Sequence, residues 1–125
     1  QHEVAKAMEV YEAALHEKRH PFYQALIHYN LGYLYELSDQ CEKGIEHFLK
    51  ITSFNKRRIV FWTFGYRPNA FWITSAYFGM GRCYEKVGRW EDAKQVYLRI
   101  SDEFPNSAFS DQAESLRMLL ASNPK

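Results

Sequence analysis

Residues 77–105 read YFGMGRCYEKVGRWEDAKQVYLRISDEFP. Tyr77, Met80, Gly81 and Tyr84 recur at i, i+3, i+4 and i+7, the spacing of one helix stripe. Gly88 follows at the point where that helix must end, and glycine adopts the positive φ of a helix C-terminus at no steric cost. Ala93, Val96, Tyr97 and Ile100 then form a second stripe. The pattern predicts helices over 70–87 and 90–103. Gly81 and Ala93 are small, so the two helices can approach closely while aromatic rings fill the space around them. Pro105 cannot continue the second helix. Asn106 or Ser107 can cap a third, predicted over 108–121.

Counted from Gly81, Tyr77 lies four before and Met80 one before. Tyr84 lies three after, Gly88 seven, Ala93 twelve, Tyr97 sixteen, Ile100 nineteen and Pro105 twenty-four. This set resembles the tetratricopeptide repeat (TPR) family. The resemblance implies an all-α fold, a TPR-like right-handed superhelix of antiparallel helix pairs. It also implies a non-catalytic scaffold that binds proteins or peptides, with assembly of a larger complex as its purpose.

A second copy lies upstream, in HYNLGYLYELSDQCEKGIEHFLKI. Leu31, Gly32, Tyr35, Phe48 and Ile51 keep the same offsets. Asp39 stands at the turn glycine and Gly44 at the small alanine. Asp39 with Glu42 three residues later reads as a capping box for a helix over 40–54. Gly44 preserves close packing at some cost in helix propensity. Its first helix is predicted over 22–38. Ala7, Tyr11 and Ala14 repeat the spacing of Ala93, Tyr97 and Ile100, so helix 4–19 reads as the second half of a repeat whose first helix is missing, as in a piece of a longer array. The organisation expected is therefore a single TPR domain: a half repeat at 4–19, a repeat at 22–54, an insertion at 53–68, a repeat at 70–105 and a capping helix at 107–121.

Composition agrees. A chain of 125 residues fits one domain and can bury a core. A net charge of +1 gives no global field toward nucleic acid or anionic membrane, so no nucleic-acid partner is expected. No apolar run approaches the length of a membrane span. Two cysteines, Cys41 and Cys83, are too few for a disulfide framework or a zinc site. They read as two reduced, partly buried thiols, with a disulfide as the lesser alternative.

Gly32 and Gly81 are 49 positions apart, whereas a TPR period is about 34 residues. The excess falls in SFNKRRIVFWTFGYRP, residues 53–68. Its candidate surface is Lys56, Arg57, Arg58, Phe61, Trp62, Phe64, Tyr66 and Arg67, with no acid among them. Each large ring gains about 1.5–3 kcal/mol by burial, so something must cover them. The alternatives are packing on adjacent helices, a partner protein or a second copy of the chain (a homo-oligomer), an anionic membrane surface, and single-stranded nucleic acid.

Residues 16–20 read HEKRH, the H-E-x-x-H pattern of zinc metalloproteases. On a helix His16 and His20 would share a metal, with Glu17 as general base. Lys18 and Arg19 put positive charge beside that metal, Pro21 ends the helix at once, and no third ligand has a recognisable context. The expectation is no metal, no cofactor and no enzyme, with the zinc hydrolase as a remote alternative. His28 and His47 read as isolated packing or surface residues.

In the TPR family the first helices of successive repeats line a concave groove. Carried onto the matched positions, the resemblance assigns Tyr29, Asn30, Tyr33 and Glu36 from one helix, and Phe78, Arg82, Glu85 and Lys86 from the next. An aromatic floor with Arg82 and Lys86 suits an extended or helical peptide of acidic character. The alternative is that some of these rings pack between helices. The clamp by which one TPR subclass holds chaperone C-terminal carboxylates has only Asn30 here. Ser75 and Gly79 stand where its cations would be, which disfavours that ligand. Finally, RWEDAKQVYLRISDEFPNSAFSDQAESLRMLL resembles TPR proteins of the bacterial cell envelope, of the outer-membrane assembly lipoprotein and Tol–Pal coordinator types. That likeness favours the periplasm or envelope over the cytoplasm.

Overall fold

The structure, a computed structural model, describes residues 2–17, 21–56 and 70–122. Among these residues there are six α-helices and no strand. They are α1 (His2–Leu15), α2 (Pro21–Leu37), α3 (Cys41–Lys56), α4 (Ala70–Lys86), α5 (Trp90–Glu103) and α6 (Ala108–Ser122). Each helix packs on the next in the chain, and α2 also packs on α4. Successive antiparallel pairs whose first helices touch form an all-α, TPR-like helical repeat.

The two pairs α2–α3 and α4–α5 repeat one another at the offset of 49. Asp39 and Gly88 occupy equivalent corners, at φ 61° and 80°. At the first corner the Gln40 N–H donates to the Tyr35 carbonyl (2.8 Å) and the Asp39 N–H to the Glu36 carbonyl (3.2 Å). At the second, the Arg89 N–H donates to Tyr84 (2.8 Å) and the Gly88 N–H to Glu85 (3.1 Å). Both are Schellman corners, which satisfy the last carbonyls of α2 and α4. Asp39 therefore ends α2 in the left-handed conformation instead of capping α3 by a capping box. Aspartate tolerates that conformation because its short polar side chain can bond locally. The next helices start alike, with Gly44 N–H bonded to Gln40 and Ala93 N–H to Arg89 (both 3.1 Å).

The main core runs through α3, α4, α5 and α6. Phe48, Ile51, Ile73, Ala76, Tyr77, Cys83, Ala93, Tyr97 and Ile100 are its centre. Phe48 is fully buried, and its ring is gripped by two glycines. A Cβ placed on Gly32 of α2 would lie 2.7 Å from Phe48 Cε1, and one on Gly79 of α4 would lie 2.6 Å from its Cε2. Tyr97 sits against Gly81 in the same way, sixteen residues on, as Phe48 is from Gly32. The small residues thus make room for rings, as well as for close backbone approach. A smaller cluster, Ile27, Leu31 and Tyr35 of α2, is covered by Met8, Tyr11, Ala14 and Leu15 of α1.

Most helix boundaries fall within two residues of expectation, and two of the differences bear on the motifs read from the sequence. Helix α1 ends at Leu15, not at residue 19. His16 and Glu17 form a turn, their N–H groups donating to the Ala13 and Ala14 carbonyls at 3.2 Å. Of the HEKRH motif, the described residues are therefore not helical; Lys18, Arg19 and His20 lie outside them. Helix α3 runs to Lys56, into the stretch read as an insertion. At the last corner Ser107 is the cap of α6: its Oγ accepts from the Ser110 N–H at 3.1 Å. Asn106 instead takes φ 58°. No helix among the described residues is long and apolar enough to cross a membrane.

Candidate binding groove

The seam between α2 and α4 is closed by charge at one end and by rings at the other. Glu36 of α2 is buried. Arg82 of α4 grips it with two parallel bonds, Nε to Oε2 at 2.9 Å and Nη2 to Oε1 at 3.0 Å. Lys86, one turn further along α4, places Nζ 3.4 Å from Oε2. The hydrogen bond to Glu36 pushes the Arg82 guanidinium further toward its charged form, against the opposing effect of burial. Both cations remain half exposed. Two cations and one carboxylate leave one formal positive charge on this part of the seam. Arg82 spends its planar fork on Glu36, so the cations offer a ligand less than their sequence suggests.

At the other end the Tyr29 ring meets Trp72 of α4 edge-on, centroids 5.5 Å apart at 70°. It also leans on Phe48 at 6.0 Å. Phe71 lies edge-on to Trp72 at 5.4 Å and is exposed. Tyr33 is exposed on α2 between these two ends.

The eight candidate residues therefore divide. Tyr29, Glu36, Arg82 and Lys86 join across the seam, with Tyr33 exposed on the same helix. Asn30 bonds Tyr11 of α1, Nδ2 donating to Oη at 3.3 Å. Phe78 and Glu85 serve the α4–α5 pair: the Phe78 ring lies 6.2 Å from Tyr97, and Glu85 Oε2 accepts from Tyr97 Oη at 2.6 Å. Burial, reinforced by this bond, pushes the Tyr97 phenol up, so it stays a donor. Phe71 and Trp72 were missed by the spacing analysis, because they precede the stripe anchored on Gly81. Their signal was two adjacent aromatics at the start of a helix.

Of the insertion surface, Lys56 closes the α3 backbone. Arg57, Arg58, Phe61, Trp62, Phe64, Tyr66 and Arg67 lie outside the described residues. Among the described residues no group of three or more His, Cys, Asp or Glu could hold a metal ion. Cys41 and Cys83 are free, buried thiols in the main core.

The paired corners, the helix order and the seam between first helices point to one repeat type. Residues 75–107 match the tetratricopeptide repeat family. The match takes in most of α4, all of α5 and the corner before α6. No curated protein and no solved structure matches the chain. Upstream, α2–α3 reproduces the geometry of the matched TPR at the corner residues and at the glycine–ring contacts. TPR repeats suggest a scaffold for protein–protein interaction.

Proposed function

We propose that the chain is a TPR scaffold that binds a protein segment along the α2–α4 seam, without catalysing a reaction on it. The observation that carries this reading is the surface along the seam: exposed Tyr33 and Phe71 on the same two helices that carry the half-exposed Arg82 and Lys86. Rings of low conformational entropy at one end of a seam and a net positive charge at the other favour a segment with apolar anchors and at least one carboxylate. The Glu36 carboxylate tempers that charge, so rings carry more of the affinity than cations do. The resemblance of residues 89–120, which span α5 and most of α6, to cell-envelope scaffolds favours assembly of an envelope complex as the setting.

The test is direct. Peptides are selected by display against the full chain, and one is titrated against wild type, Tyr33→Ala/Lys86→Ala and Met118→Ala. Met118 is exposed on α6 and serves as the control. The groove variant should bind roughly tenfold or more weakly, with the α6 variant unchanged. Equal affinity in all three would place the ligand elsewhere.

A further inference from the structure

Where α1, α2 and α3 meet, away from the groove, His28 and His47 face one another. Their Nδ1 atoms are 3.0 Å apart and their ring centroids 5.2 Å. The centroid separation nearly equals the N···N gap plus the reach of each ring, so the two nitrogens point head-on. Head-on lone pairs do not converge on a shared metal, which needs about 2.0–2.1 Å to each nitrogen. The geometry is instead an N–H···N bond between neutral imidazoles, one Nδ1 carrying the hydrogen and the other accepting it.

The pair is held from all three helices. From α2, Tyr35 stacks flat on His47, centroids 5.5 Å apart at 6°. Tyr35 Oη donates to Glu12 Oε2 of α1 at 2.5 Å. The same carboxylate oxygen lies 3.8 Å from His47 Nε2. On α3, Glu46 and Lys50 act on the pair, and Lys43 Nζ sits 5.6 Å from the centroid of the Tyr35 ring. Burial, then the charge of His47, then Lys50, hold His28 down at about 4, against the attraction of Glu12. Burial also lowers His47, assisted by Lys50 and opposed by Glu12 and Glu46.

We propose that the His28–His47 pair, backed by Tyr35 and Glu12, is an acid-sensitive latch on the junction of α1, α2 and α3. It is closed while at least one imidazole is neutral and open when both carry a proton. The first proton fits: on His47 it leaves Nδ1–H donating to His28, with Nε2–H on the side of Glu12. The second does not. A proton on His28 sets N–H against N–H and brings two cations together in a half-buried site. Opening would loosen α1 and uncover the Ile27, Leu31 and Tyr35 cluster beneath it, a surface distinct from the groove.

The experiment is an NMR titration of the full chain from pH 8 to 4, following imidazole Cε1–H shifts and the hydrogen-exchange protection factors of α1. Wild type should show His28 titrating well below the ordinary histidine range, with α1 protection falling in the same interval. In His47→Asn the His28 midpoint should rise, because the like charge is gone. In His28→Asn the loss of α1 protection should move to lower pH. Glu12→Gln, which keeps both rings, should move it to higher pH. A His28 midpoint at the ordinary value would overturn the latch without any variant. An α1 pH profile identical in wild type and Glu12→Gln would overturn it too.

Discussion

Gly79→Ala tests how the two repeats are fitted together. The new Cβ would lie 2.6 Å from Phe48 Cε2 and Cζ. Phe48 has little room to retreat, because Gly32 of α2 also presses on its Cε1 and Cζ and no part of it is exposed. Overpacking of this kind costs about 1–3 kcal/mol. Helix propensity works the other way, since alanine is better than glycine by about 1 kcal/mol in a helix interior. Steric cost should win, giving a net loss of about 1–2 kcal/mol in urea unfolding. The partner substitution separates the two effects. In a Phe48→Leu background the ring is gone, and Gly79→Ala should become neutral or stabilising by up to about 1 kcal/mol. A Gly79→Ala that stabilises the wild-type chain would refute the idea that Phe48 is wedged between α2 and α4.

The Asp39 corner gives an opposite sign: Asp39→Gly should stabilise by roughly 0.5–1 kcal/mol in urea unfolding by removing left-handed strain, whereas Gly88→Ala should destabilise by about 1 kcal/mol. Glu36→Gln should cost about 1–3 kcal/mol of unfolding free energy, less than for a fully buried pair because Arg82 and Lys86 are half solvated. The acid response follows from His28. Its folded value near 4 lies below the unfolded 6.5, so its contribution is complete above pH 6.5 and lost as pH falls through 4. The full shift would be about 3.4 kcal/mol, reduced to about 1–2 at this half-buried, partly screened site, and His28→Asn should flatten the urea-stability profile by that amount.

Helix periodicity made most of the architecture legible before any coordinates. Stripes anchored on Gly81 and Gly32 report contacts within a helix pair, and those contacts are close in sequence. Helix α5 has the predicted limits, because glycine, proline and an amphipathic stripe all agree there. The end of α1 was missed, since His16 to His20 are polar and carry no stop signal before Pro21. Asp39 was misassigned because aspartate suits both a helix start and a left-handed corner. Deciding between them requires the Gln40–Tyr35 hydrogen bond. The groove was half legible. Family spacing brought Glu36, Arg82 and Lys86 into one set, but their ion pairing joins residues 46 positions apart, beyond any local pattern. His28 and His47 read as isolated because nothing in either helix's spacing signals a partner 19 residues away.

The measurement that bears most directly on the proposed binding role is backbone amide NMR of the full chain with a display-selected peptide. Saturable shifts grouped on Tyr29, Tyr33, Trp72, Arg82 and Lys86, with α5 and α6 unmoved, are the result expected if the α2–α4 seam is the binding groove. Shifts confined to α5 and α6, or none at saturating peptide, would contradict it.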